Sequence, residues 1–172
     1  MRLFSHRSTL NDAGIFRQIP LKVRGGLYVS PMPYGAYDTG NRVLKLYKDN
    51  HIGHVFIIAT DDEIKKKARK DIKKAYEFIG ASYSQLAVPD MTAPSLTEMQ
   101  TLVKEAIRHL RTTRVAVHCH AGVGRTSTFA CCIVQKLTGM SAAKTIAYVK
   151  EHMEVNMTTE QEAVVKKFAA KA

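Results

Sequence analysis

Residues 114–128 read RVAVHCHAGVGRTST. The opening residues, Arg114 to Val117, are a short apolar run of the kind that forms a buried strand. Beyond Arg125, the apolar residues Phe129, Ile133 and Leu137 recur at four-residue spacing, one face of a helix, and Gly139 is its stop signal. Between strand and helix lie Cys119, flanked by His118 and His120, then Ala121, Gly122, Val123, Gly124 and Arg125. A strand, a glycine-containing turn and a helix form an anion-binding device. The helix N-terminus offers unpaired N–H groups and the positive end of its dipole. Gly122 and Gly124 let the backbone curl so that successive amides point inward.

That arrangement places Cys119 at the centre of a ring of donors. Donors that hold an anion also favour a thiolate, and a thiolate facing a bound phosphate is a nucleophile in line for attack. The planar fork of Arg125 suits two phosphate oxygens at once.

Working outward, residues 1–26 read as irregular, with Pro20 and the Gly25-Gly26 pair as breakers. A strand is expected at Leu27 to Val29, a loop over Ser30 to Gly40, and a helix from about Asn41 to Asn50. Val55 to Ala59 has the continuous apolar run of a strand covered on both faces. Thr60 or Asp61 can cap a lysine-rich helix running to about Ile79, whose stripe is Ile64, Ala68, Ile72, Ala75 and Ile79. Tyr83 to Val88 reads as a strand. Ser95 and Glu98 have capping-box spacing at the head of another helix. Two further helices run from Ser141 to about Met153 and from Thr158 onward. Alternating strands and helices followed by a helical tail predict a single α/β domain over residues 1–172, with a central, mainly parallel sheet flanked by helices.

The length, 172 residues, suits one domain with a real core. No stretch approaches the ~20 apolar residues of a membrane helix, and the first residues lack the apolar core of a secretory signal. The three cysteines, Cys119, Cys131 and Cys132, are an odd set with two adjacent members. That argues against a disulfide framework and for a reducing, cytoplasmic setting. Cys131 and Cys132 fall on the predicted helix, where their positions suit core packing. No second ligand pair stands at zinc-site spacing, so no metal and no cofactor are expected. The formal net charge of +11 calls for anionic partners. Its densest run, Lys65 to Lys74, reads as the wet face of the lysine-rich helix. Tyr76 and Phe78 make no base-stacking platform, so nucleic acid is not the expected partner.

His118-Cys119, five residues, then Arg125-Thr126 resembles the active-site loop of the cysteine-based protein tyrosine phosphatase superfamily. Both glycines fit its small dual-specificity, atypical and bacterial members. The resemblance implies the protein-tyrosine-phosphatase fold and a cysteinyl-phosphate mechanism. It makes Cys119 the nucleophile and His118 an ordering residue that helps keep the thiolate. Arg125 and the backbone from His120 through Ala121, Gly122, Val123 and Gly124 would hold the phosphate. The Thr126 hydroxyl would bond the sulfur. The reaction also needs a carboxylic acid to protonate the leaving group. The family supplies an aspartate from a separate loop, which matches Asp90 in VPDMTAPS, residues 88–95. The chain has no tryptophan, so this loop is not the tryptophan-proline-aspartate form of the larger tyrosine-specific enzymes. Gln161 resembles a glutamine that positions water in some members, and it equally has capping-box spacing with Thr158. The implied substrate is a phosphoprotein, phosphotyrosine or dual-specificity. The alternative within the superfamily is an inositol phosphate or phosphoinositide. Against lipids, loop positions that are lysines in tensin-type enzymes are His120 and Val123 here.

Overall fold

The strand that leads into the glycine turn occupies the middle of the molecule. In the computed structural model, which describes residues 14–169, a five-stranded sheet runs in the order β1-β2-β5-β3-β4. Its strands are β1 (Arg17–Ile19), β2 (Gly26–Ser30), β3 (Ile52–Ile58), β4 (Ser82–Leu86) and β5 (Arg114–His118). β2, β5, β3 and β4 are parallel, and only the edge strand β1 is antiparallel. The mainly parallel α/β sheet expected from the alternation is therefore present.

Strand period dictates the two layers. Leu27, Val29, Phe56, Ile58, Val115 and Val117 face one side, while Tyr28, Val55, Ile57 and Ala116 face the other. Helices α1 (Val43–Asp49), α2 (Asp61–Lys67) and α3 (Ile72–Phe78) cover the second face through Val43, Tyr47, Ile64, Ile72 and Tyr76. On the first face lie α4 (Leu96–Leu110), α5 (Arg125–Thr138), α6 (Ala142–Lys150) and α7 (Thr159–Ala169). Every residue of α5 from Arg125 to Gln135 is buried, because α4, α6 and α7 enclose it. Phe129 and Ile133 are fully covered, and each such side chain contributes roughly 1.5–3 kcal/mol. Gly139 ends α5 with φ of 70°, the left-handed stop the sequence predicts.

Two expectations need correction. The lysine-rich segment is two helices, not one. Ala68 turns extended, with ψ of 131°, and Asp71 caps α3 by accepting from the Lys74 amide at 3.2 Å. Like charges at Lys65/Arg69 and Lys66/Lys70 disfavour a continuous helix. Arg69 is drawn away to the carbonyls of Tyr34 and Gly35 and to the Asn41 side chain. Residues 1–26 are also not wholly irregular: β1 forms because β2 supplies its partners, Arg17 opposite Val29 and Ile19 opposite Leu27. Residues 1–13 lie outside the described part. No helix among the described residues is long and apolar enough to cross a membrane.

Candidate active site

The parallel strands deliver their following loops to one end of the sheet, where α/β folds bind ligands. After β5 comes Cys119; after β3, Thr60 and the first turn of α2 with Glu63; after β4, Val88 and Asp90; after β2, the loop to Gly40.

The loop from Cys119 to Gly124 is held by its carbonyls. His120 O accepts from Met32 N at 3.0 Å and Val123 O from Asn156 N at 2.9 Å. Ser127 Oγ donates to Val123 O at 2.6 Å, and Thr128 Oγ1 to Gly124 O at 2.9 Å. With these carbonyls turned outward, Gly122 N donates to Cys119 Sγ at 3.3 Å. The amides of Ala121, Val123, Gly124 and Arg125 have no protein acceptor among the described residues. Gly122 cannot be replaced cheaply. Its φ is +82°, and a Cβ there would lie 2.5 Å from the Ser30 carbonyl oxygen. Gly124 is tight for a different reason, with Asn156 O at 3.1 Å and Gln161 Oε1 at 3.2 Å from its notional Cβ.

Arg125 is buried to 2 % exposure at the head of α5. Its Nη1 donates to Glu63 Oε2 at 2.6 Å and to Val88 O at 2.8 Å. Its Nη2 donates to Glu63 Oε1 at 2.7 Å and to Asp90 Oδ1 at 2.9 Å. Burial opposes the guanidinium's charge, but the Glu63 hydrogen bonds and the charges of Cys119 and Asp90 raise its pKa above the usual arginine value. Cys119 is itself 3 % exposed.

His118 is fully buried and orders the turn. Its Nδ1 lies 2.9 Å from the Cys119 carbonyl and its Nε2 2.6 Å from the Tyr76 hydroxyl. A carbonyl only accepts, so Nδ1 carries the proton and Tyr76 donates to Nε2. Burial, aided by the nearby Arg125 charge and opposed by the Cys119 carbonyl bond, pushes its pKa down to about 4, so the ring is neutral at pH 7. His120 meets Tyr37 edge-on, ring centres 5.0 Å apart, which brings the loop after β2 to the rim of the site. Burial lowers the pKa of His120 too, with Lys67 adding to the effect.

The Asp90 carboxylate is 64 % exposed, reaching Arg125 from the loop after β4. The far side of that loop is tied to α7: Gln161 Nε2 donates to Thr92 O at 2.8 Å. Gln161 also forms the predicted capping box, its side-chain Oε1 accepting from Thr158 N at 2.9 Å and its backbone N–H donating to Thr158 Oγ1 at 3.2 Å. Thr126 is fully buried and its hydroxyl has no hydrogen-bond partner among the described residues. Its neighbours Ser127 and Thr128 brace the loop.

Residues 33–140 match the family model described as Tc-R-P, a polymorphic toxin system DSP-PTPase phosphatase. The chain belongs to this phosphatase family. Among curated relatives of the DSP-PTPase phosphatase, mouse protein tyrosine phosphatase domain-containing protein 1 is 33% identical over 79 residues, covering 46% of this chain and 11% of that protein. The human dual specificity protein phosphatase CDC14C is 53% identical over 36 residues, or 21% of this chain and 8% of the relative. The chain thus spans about a tenth of the length of these relatives. A kinase associated phosphatase structure superposes with a TM-score of 0.81 at 17% identity, over 92% of this chain and 96% of that one. The PTPMT1 structure in complex with PI(5)P gives 0.71 at 18%, over 84% and 90%. These solved structures share the fold of this DSP-PTPase phosphatase.

Reading the sequence finds Cys119, Arg125, His118 and Asp90, and the fold brings all four together. Sequence reading misses Glu63, which sits at the capping-box position behind Thr60 and shows no sign of facing Arg125. It also misses Tyr76, which the sequence offers only as an aromatic beside the lysine run and whose hydroxyl reaches His118 in the fold.

Proposed function

We propose that the protein hydrolyses phosphomonoesters on phosphoproteins, phosphotyrosine or dual-specificity, through a cysteinyl-phosphate intermediate. The observation that carries this reading is the position of the Cys119 sulfur. It lies under the Gly122 amide, within a loop whose carbonyls are held outward, beside a guanidinium gripped by Glu63 and Asp90.

In the first step the Cys119 thiolate forms an S–P bond while the ester P–O bond breaks. The leaving oxygen takes the bonding pair and a proton from Asp90. In the second, water attacks phosphorus and gives a proton to Asp90. The S–P bond breaks, the pair returns to sulfur, and phosphate departs. The amides from His120 to Arg125 and the Arg125 fork bind the phosphoryl oxygens. A phosphate dianion competes with Asp90 for Nη2 of Arg125, which releases the carboxyl to turn toward the leaving-group oxygen. Glu63 positions the guanidinium, and Gln161 holds the Asp90 loop against α7 and stands ready to orient the attacking water. His118 orders the loop, and the buried Thr126 hydroxyl, free of other partners among the described residues, is assigned to hydrogen-bond the sulfur as it leaves phosphorus. The free thiols suit a reducing, cytoplasmic compartment.

One observation favours a second reading, an inositol phosphate or phosphoinositide substrate. Lys67 lies close enough to His120 to lower its pKa, so an additional anionic group on the substrate would find a positive charge at the rim. Turnover on a phosphotyrosine peptide, a phosphothreonine peptide and inositol hexakisphosphate decides between them. Preference for the peptides supports the protein reading, and preference for the inositol phosphate replaces it. Asp90→Asn should slow esters with poor leaving groups by about 10²-fold or more, and good ones far less. Equal slowing of both contradicts its acid role.

A further inference from the structure

Away from the phosphate loop, three side chains able to ligate a metal come together. His54 lies toward the start of β3, paired with Val115 and Ser82. Glu105 and His109 stand one helical turn apart on α4, which packs over that face. On β3, His54 comes three residues before Ile57, which sits beside His118. That is about 10 Å down the strand from the catalytic end.

The ligand atoms converge. Glu105 Oε1 is 4.0 Å from His54 Nε2 and 3.9 Å from His109 Nε2, and all three lie within 4.8 Å of one another. The imidazoles stack with centres 3.7 Å apart and planes 16° from parallel, so a shared ion requires one ring to tilt until both in-plane lone pairs meet. Bonds of about 2.1 Å at tetrahedral angles place ligand atoms about 3.4 Å apart, so the Glu105 oxygen closes on each ring nitrogen by about half an ångström as the stack opens.

Hydrogen bonds orient the ring. Ser84 donates to Glu105, and His54 Nδ1 and Nε2 lie 2.7 Å from Ser82 Oγ and 3.0 Å from Ser84 Oγ. A metal at Nε2 selects the tautomer in which Nδ1 carries the proton toward Ser82 Oγ, which in turn reaches the Gly53 carbonyl at 3.2 Å. The Gly53–Ser82–His54 chain is also the outer support that fixes a ligating histidine's tautomer. Arg108 acts on both rings as a positive neighbour. That disfavours a hard cation held by charge alone and leaves the borderline metals, which imidazole nitrogen binds by donation.

We propose that His54, Glu105 and His109 form a binding site for a divalent transition metal of the zinc class, which clamps β3 to α4 at the end of the sheet opposite the phosphate loop. The proposal is independent of the phosphatase reading.

The test uses the full chain with Cys119→Ser, which removes the thiolate as a competing ligand. Zn²⁺ and Co²⁺ are titrated by calorimetry, with Co²⁺ also followed by its visible absorption bands. One equivalent should bind with micromolar or tighter affinity and raise the melting temperature. Adding His109→Ala or the isosteric Glu105→Gln should weaken binding about tenfold or more and abolish the melting shift. Because Glu105→Gln preserves shape, loss of binding there with an unchanged metal-free melting point cannot be ascribed to misfolding. Absence of saturable binding up to ~1 mM metal, or binding that survives both substitutions, overturns the proposal.

Discussion

Arg125 spends four N–H bonds inside the protein, two on Glu63 and one each on Val88 and Asp90, from a guanidinium that has five. Glu63 is the partner with matched geometry, one oxygen on each Nη, and its side chain is only 10 % exposed. Such a pair does more to fix the plane of the fork than to stabilise the fold, since desolvation offsets much of the attraction. Removing one partner is still costly. Glu63→Gln should lower stability by about 1–3 kcal/mol in denaturant unfolding, and kcat/KM on an aryl phosphate by about 10- to 100-fold, because a misaligned fork mispositions the phosphoryl group. Inhibition by inorganic phosphate should weaken in parallel. Unchanged phosphate affinity in a folded Glu63→Gln protein contradicts the positioning role. Burial places Cys131 and Cys132 at the other extreme. The Cys131 thiol is pushed up to about 12 and Cys132 well above its usual value, so neither is a nucleophile at pH 7.

At the scale of elements, α7 and the loop carrying Asp90 are joined through one side chain. Gln161 caps its own helix and, with its amide nitrogen, grips Thr92 two residues past Asp90. Thr158→Ala removes only the cap and should cost about 1 kcal/mol with kcat unchanged. Gln161→Ala removes cap and tie together, so kcat should fall beyond the Thr158→Ala value while stability falls by a similar amount. Equal kinetics in the two variants reduces Gln161 to a cap. The cap itself was legible from Thr158 and Gln161, as was the Ser95–Glu98 box, because capping is local chemistry written in spacing of three. The phosphate loop was legible for the same reason. The break between α2 and α3 was not, since Arg69 leaves the helix for Tyr34, Gly35 and Asn41, contacts made only after the chain folds back. Strand β1 was hidden likewise: a three-residue edge strand exists only through its partner. Glu63 and Tyr76 reach the site by tertiary packing alone, and no periodicity reports that.

The whole molecule pairs a buried neutral histidine with the loop it orders, and this sets its response to acid. His118 has a folded pKa of about 4 against an ordinary value of 6.5. Between those values the unfolded chain binds the extra proton and the folded chain does not. Stability is therefore full above about pH 6.5 and falls as pH drops toward 4, by about 3 kcal/mol from this group. Urea midpoints from pH 7.5 to 4.5 should decline accordingly. His118→Gln should flatten that part of the slope, and an identical slope in the variant contradicts the assignment. The two layers and the parallel strands serve one end: four loops meet where β5 delivers Cys119, and α5 supplies Arg125 from a helix buried along most of its length. The central claim is that this sulfur accepts the phosphoryl group. Its most direct test is mass spectrometry of the acid-quenched enzyme during turnover of an aryl phosphate, using Asp90→Asn to slow hydrolysis of the intermediate. The account predicts a peptide containing Cys119 heavier by one phosphoryl group, absent in Cys119→Ser. Turnover that proceeds with no phosphorus on Cys119, or that survives Cys119→Ser, contradicts it.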